Sequence, residues 1–165
     1  MRFLGVLCLS LSVLGFGFSQ IQIMLSRQLL YSASAAFWSE FRRLLADTHA
    51  PPGEILQRLI RFPRYKKLDF AVMASRNLPE RRFQEAYHLA LEESSVRSLE
   101  IYPLLVQAGE IPGTLSLDHQ LERLDSIVAR LEELAQEHQR HIDSSLRLWR
   151  SLSVCGALFV FIFLI

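Results

Sequence analysis

Both ends of the chain are free of charged residues. No Lys, Arg, Asp or Glu occurs between Arg2 and Arg27, and none follows Arg150 up to Ile165. All 17 acidic residues and most of the 18 basic ones therefore lie in the middle of the chain. This pattern favours one charged domain between two apolar helices. The balance of opposite charges in the middle gives no general attraction to nucleic acid.

The N-terminal segment, residues 1–26, is predicted to be a transmembrane helix. Its uncharged stretch would reach roughly 36 Å as a helix, and the hydrocarbon core of a bilayer is about 30 Å thick. The alternative is a cleaved signal peptide, in which Arg2 is the basic start and "GFS" before Gln20 is the cleavage site. The apolar character continues beyond that site in "IQIML", which favours the transmembrane helix.

The C-terminal segment, residues 148–165, is predicted to be a second transmembrane helix. Trp149 is an aromatic residue of the kind that lies at membrane surfaces, and Arg150 beside it can extend its charge toward the lipid headgroups. More basic residues flank the two spans on the side of the middle domain than on the far side, which offers only Arg2. The positive-inside rule therefore places the middle domain in the cytoplasmic compartment. The signal-peptide alternative implies an extracytoplasmic domain with a tail anchor.

The middle domain, residues 27–147, is predicted to consist of helices alone. Prolines mark two breaks, and Pro52 and Pro79 are predicted helix starts because proline is accepted in the first helical turn. No stretch alternates between apolar and polar residues, and no Asn-Gly or Asp-Gly turn occurs. The predicted fold class is all-α, a small bundle of five or six helices between an N-terminal and a C-terminal transmembrane helix.

The longest predicted helix begins after Ser116, whose hydroxyl can cap a helix N-terminus. No Pro or Gly interrupts it before Gly156, so it is predicted to continue into the second membrane span. Its spacing suits either a core helix of the bundle, which we favour, or a coiled coil with another subunit. The residues that recur at alternating intervals of four and three are Leu117, Leu121, Leu124, Val128, Leu131, Ala135, His138, Ile142, Ser145, Trp149 and Leu152.

No pattern in the sequence indicates an enzyme. His138 and His141 lie three residues apart, a spacing that helical metal ligands use, but His138 belongs to the apolar series and no cysteine lies nearby. No glycine-rich stretch precedes a Lys-Ser or Lys-Thr pair as in a phosphate-binding loop. We therefore predict no catalytic residue, cofactor, metal or small-molecule substrate. A metal site at the two histidines is the enzymatic alternative.

The stretch "RLIRFPRYKK" carries cations without an intervening acid. Such a patch is predicted to contact anionic lipid headgroups or a partner protein, and the alternative is a solvated basic face. The acidic pair Glu92 and Glu93 is a second candidate contact. The candidate basic patch consists of Arg58, Arg61, Arg64, Lys66 and Lys67.

One further segment, "LLVQAGEIPGTLSLDHQLERL", combines Gly109, Gly113, Ser116 and Gln120. Gly109 is predicted to end a helix in the left-handed conformation, and Gly113 to allow a tight return before Ser116. This pattern resembles the stage III sporulation protein AB family, whose members carry Gly-x-x-Leu-Gly, then Asp or Ser, then Gln. The segments "HAPPGEIL" and "RSLSVCGAL" are also similar to family motifs, whereas Pro112 stands where the family has leucine.

The resemblance extends over nearly the whole chain. It implies a helical domain similar to the cytoplasmic domain of type II secretion platform proteins. It also implies a component of the sporulation channel in the mother-cell membrane that surrounds the forespore. By analogy with secretion systems, the implied partners are the apparatus ATPase, stage III sporulation protein AA, and other membrane subunits.

Overall fold

The structure is a computed structural model that describes the backbone of residues 2–114 and 116–164, and the side chains of residues 22–114, 116–142 and 144. No strand occurs in this part of the chain, so the predicted all-helical class is confirmed. A short 3₁₀ helix, Ser95–Ser98, lies between α4 and α5. The helices are α1 (Arg2–Thr48), α2 (Pro52–Leu59), α3 (Asp69–Asn77), α4 (Phe83–Glu93), α5 (Tyr102–Glu110) and α6 (Leu117–Leu164).

The chain divides into two compact units. One consists of Met1–Gln28 with Glu137–Ile165, and the other, which we name the helical domain, is Leu29–Gln136. The predicted transmembrane segments fall mostly on residues whose side chains lie outside the described part of the chain, and so do Trp149 and Arg150. Within the part that is described, we find no helix with the length and apolar character needed to cross a bilayer.

Aromatic rings form the centre of the helical domain. Trp38 of α1 is fully buried, and its indole N–H donates a hydrogen bond to the Tyr87 hydroxyl of α4 at 3.2 Å. The ring of Phe37 meets the rings of Tyr65 and Phe70 edge to face, at centroid distances of 5.5 Å and 5.9 Å. Such aromatic pairs add to the stability that burial alone provides. They join α1 to α3, α4 and the loop between α2 and α3.

The apolar stripe of α4 faces this core, as its spacing predicts. Tyr87, Ala90 and Leu91 are buried. The prediction that Pro79 begins the helix is wrong, because α4 begins at Phe83. Packing explains the difference, since the ring of Phe83 stacks on Tyr87 at 5.7 Å, whereas Pro79 is exposed in the turn that follows α3. Pro52, by contrast, starts α2 as predicted.

Helix α6 is a core helix within the helical domain. Leu124 and Leu131 are fully buried, and Val128 and Ala135 nearly so. All four belong to the same core as Trp38, which confirms the favoured interpretation of the heptad spacing for this part of the helix. The helix continues without interruption to Leu164, as the absence of proline predicts.

Candidate protein-docking surfaces

The turn between α5 and α6 is held by two glutamine side chains. Gln120, in the first turn of α6, is buried, and its Oε1 accepts a hydrogen bond from the Gly113 N–H at 3.2 Å. From α4, Gln84 donates its side-chain N–H groups to the carbonyls of Glu110 and Pro112, each at 3.2 Å. Because these bonds satisfy backbone groups that the turn leaves without helical partners, they fix its conformation.

The two predicted turn glycines have different roles. Gly113 has a φ of 85°, so it makes the tight return that the sequence predicts. The prediction for Gly109 is wrong, because this residue lies inside α5, which continues to Glu110. A Cβ at Gly109 would stand 2.2 Å from Cδ1 of Tyr87. Gly109 is therefore required for the close approach of α5 to α4, and not for the end of a helix.

The remaining motif positions surround the same turn. Ser116 directly precedes α6, and its carbonyl accepts a hydrogen bond from the Gln120 backbone at 3.0 Å. Capping by its hydroxyl stays a prediction. Ile111 and Pro112 are both buried, so the proline, where the resemblance implies a leucine, contributes apolar surface to the interior. The four motif residues thus lie in or beside one junction, the connection between α5 and α6.

The candidate basic patch lies at the end of α2 and in the loop that leads to α3; we call residues 58–67 the basic loop. One aromatic residue attaches this loop to the core. Tyr65 is fully buried, and its hydroxyl donates a hydrogen bond to the Ala36 carbonyl of α1 at 3.1 Å. Burial raises the pKa of the Tyr65 phenol above its usual value, so it stays protonated and can donate at neutral pH.

All five cations of the basic loop are exposed. Arg58 forms an ion pair with Glu54 at 3.4 Å, and the Arg64 guanidinium lies 4.5 Å from the centre of the Tyr65 ring. The other three cations have no ion-pair partner among the described side chains. The structure thus places the predicted patch on one exposed loop, while its binding partner stays a prediction.

Phe62 was not predicted from the sequence to be a functional residue, although it lies among these cations. Its side chain is 51% exposed, one of the few large apolar side chains of the helical domain that face solvent. An aromatic ring between Arg61 and Arg64 is the signal that could have identified it. An exposed ring among cations is typical of a surface that contacts another molecule.

A nearby charge network on α1 includes one cation of the basic loop, Arg64. The pKa of the Glu40 carboxyl is lowered, first by a hydrogen bond from Arg43 and also by the charges of Arg43 and Arg64, while partial burial opposes the shift. The same hydrogen bond raises the pKa of Arg43. Both groups therefore remain ionised at neutral pH, and this exposed pair contributes little to stability.

The second candidate surface is a groove between α4 and α5 with a volume of about 590 Å³; we call it the acidic groove. Glu85, Glu92 and Glu110 line it, together with the half-buried apolar side chains of Leu89 and Val106. From the sequence, only Glu92 and its neighbour Glu93 were predicted as candidate contacts. The groove was not predicted because its two walls come from helices that are separate in the sequence.

The two histidines at which a metal site was the alternative prediction both lie in α6. His141 is exposed and His138 is half-buried. Among the residues that the structure describes, no three His, Cys, Asp or Glu side chains are arranged to hold a metal ion.

The amino-acid sequence matches the family model of stage III sporulation protein AB over residues 2–165. The chain belongs to this family. The match includes the junction formed by Gly109, Gly113, Ser116 and Gln120, and it confirms the resemblance that this junction indicated. Members of this family are sporulation components, and the family is not a known class of enzyme. No curated protein and no solved structure matches the chain.

Proposed function

We propose that this protein is a membrane-anchored, non-enzymatic platform of the sporulation channel apparatus. Membership of the stage III sporulation protein AB family supports a role in sporulation. In this proposal the helical domain lies on the cytoplasmic side of the mother-cell membrane around the forespore. It docks the apparatus ATPase, stage III sporulation protein AA, and other membrane subunits. Nucleic acid and small-molecule substrates have no part in this role.

The observation that carries the proposal is the extent of α1 and α6. Each of these helices contains a predicted membrane segment as well as core residues of the helical domain. Trp38 of α1 and Leu131 of α6 are fully buried in the same core. A force that an ATPase applies to this domain would therefore act on both helices. A platform needs this property, because motion must reach the membrane subunits without loss at a flexible linker.

Capture of the ATPase by the tagged full chain in mild detergent tests the docking role. We expect the wild-type chain to retain the ATPase, and an absence of capture would contradict the proposal. The pair Arg58→Glu and Arg61→Glu tests whether the basic loop takes part, and Arg123→Glu with Arg130→Glu, on exposed positions of α6, is the matched control. Equal capture by all variants would show that the ATPase contacts another surface.

Orientation and anchoring are tested separately. A reporter inserted into the exposed turn at Pro79 and Glu80 should be active only in a cytoplasmic form. Activity of an extracytoplasmic reporter there would contradict the proposed orientation. N-terminal sequencing of the mature protein should give an intact N-terminus. A start at Gln20 would instead support the cleaved signal peptide and the tail-anchored alternative.

A further inference from the structure

The helical domain has two exposed surfaces of opposite charge that the proposed function does not assign. We propose that the basic loop of one copy docks into the acidic groove of a second copy, so that the protein assembles head to tail. The occupant of the groove is thus a second copy of this chain. This inference goes beyond the proposed function and concerns self-association alone, so its failure would leave the ATPase contact unaffected.

The basic loop has the properties of an inserting element. Phe62 is 51% exposed, and Arg61, Lys66 and Lys67 around it are exposed as well. The loop is attached to the core through the buried Tyr65 and its hydrogen bond to the Ala36 carbonyl. A loop that is already ordered loses little conformational entropy when it binds, and this favours association.

The acidic groove has the complementary properties. Its charged lining consists of three carboxylates, from Glu85, Glu92 and Glu110, and one guanidinium, from Arg81. The imidazole of His88 also lines the groove, with its Nδ1 3.8 Å from Oε1 of Glu92. The half-buried Leu89 and Val106 offer an apolar surface to an inserted ring, as the core of a protein interface does. Carboxylates around an apolar groove attract a cationic loop and repel an anionic lipid headgroup. The groove therefore favours a protein segment with the composition of the basic loop.

The contact would be heterologous, since two different surfaces of the same chain meet. A copy that binds through its loop still has its groove free for a third copy, so the contact can be repeated until a ring closes or a row of copies forms. Such an arrangement suits a platform that offers many equal positions. It predicts association that weakens as salt concentration rises, because charge pairs at the rim of an interface are screened.

Charge reversal in the full chain tests the proposal. One variant carries Arg61→Glu and Lys66→Glu in the loop, and the other carries Glu92→Lys and Glu110→Lys in the groove. The groove substitutions lie at the last turns of α4 and α5, where a positive charge favours the helix, so a loss of folding is not expected. The pair Arg123→Glu and Arg130→Glu, outside both surfaces, is the control. Self-association is measured by analytical ultracentrifugation in a neutral detergent.

Each reversed variant alone should associate at least about tenfold more weakly than the wild type, because like charges then meet in the contact. A mixture of the two variants should associate again in a 1:1 ratio, because each loop then meets a groove of opposite charge. The control variant should associate like the wild type. Phe62→Ala should weaken association with no change in charge.

Three results would overturn the proposal. The first is a wild-type chain that stays monomeric at every protein concentration and low salt. The second is unchanged association of the loop variant. The third is a mixture that does not recover association. If the loop variant instead loses binding only to vesicles that contain phosphatidylglycerol, and not to vesicles of phosphatidylcholine, the loop contacts lipid and the self-contact is wrong.

Discussion

The two connections α5–α6 and α2–α3 lie in the same helical domain but are built differently. In the α5–α6 turn, glutamines from two helices bind the backbone of Glu110, Pro112 and Gly113. In the α2–α3 loop, the buried side chains of Tyr65 and Leu68 hold a segment whose cations and Phe62 reach solvent. The first connection uses its polar groups to fix the fold. The second leaves its charges exposed to solvent, where another molecule could reach them.

The largest effect should come from removing the buried aromatic side chain of the basic loop. Tyr65→Ala deletes a ring that contacts Phe37 and a hydrogen bond to Ala36, so we expect a loss of about 3–5 kcal/mol in the free energy of unfolding. Phe62→Ala, three residues earlier, should change it by less than about 0.5 kcal/mol because the ring is exposed. Urea unfolding of the full chain in mild detergent measures both. Equal losses would show that the whole loop is structural.

Gly109→Ala should lower the free energy of unfolding by about 2 kcal/mol, because the new methyl group overlaps the buried Tyr87 ring. Tyr87 cannot move freely, since Trp38 donates a hydrogen bond to its hydroxyl. Gly53→Ala is the matched control. Its Cβ would lie 3.4 Å from Leu78, and alanine favours the helix, so that variant should be unchanged or stabilised by up to about 1 kcal/mol. Similar destabilisation of both variants would contradict the close-approach role of Gly109.

Gln120→Leu should cost about 1–2 kcal/mol, because the Gly113 N–H loses its acceptor and the turn loses one of its attachments. Gln107→Leu, on an exposed position of α5, should have little effect. The same urea titration compares the two. If Gln120→Leu were as mild as Gln107→Leu, the α5–α6 turn would be no more tightly held than the α2–α3 loop.

Alkaline pH should have the smallest effect. Burial raises the pKa of the Tyr87 phenol, partly opposed by the hydrogen bond from Trp38. The folded state therefore keeps this proton more tightly than the unfolded state, where the pKa is about 10. Its contribution to stability is constant below about pH 10 and decreases above it, by about 1 kcal/mol at pH 11. Tyr87→Phe should show a shallower decrease between pH 10 and 11. Identical slopes would indicate that Tyr87 is not the group that titrates.

Several features of the fold were predictable because they depend on residues close in the sequence. The helical period identified the buried face of α4, and the heptad spacing identified α6 as a core helix. Pro52 marked the start of α2 because its ring fits only the first turn. The same argument was wrong for Pro79, since the start of α4 depends on where Phe83 meets Tyr87. At that position the packing of Phe83 against Tyr87, and not the preference of proline for the first helical turn, determines where the helix begins.

The candidate surfaces were predictable only in part. The cations of the basic loop are adjacent in the sequence, so their patch was visible without a structure. The acidic groove was not, because its carboxylates come from α4 and from the end of α5. The role of Gly109 was also hidden, since the ring that requires its missing side chain belongs to α4. Features that depend on distant residues need the packing of the whole domain.

The sequence by itself determined the helical class, the uninterrupted α6, the family and the exposed charge of the loop at 58–67. These properties follow from the spacing of apolar residues and from local charge. Both can be recognised in a short stretch of sequence. Three features depend on the tertiary structure alone. The Tyr87 ring packs against the backbone of Gly109, the Gln120 side chain accepts a hydrogen bond from the Gly113 N–H, and three carboxylates border one apolar groove. The physical reason is that these contacts join residues of different helices, and only close packing of those helices brings the atoms together.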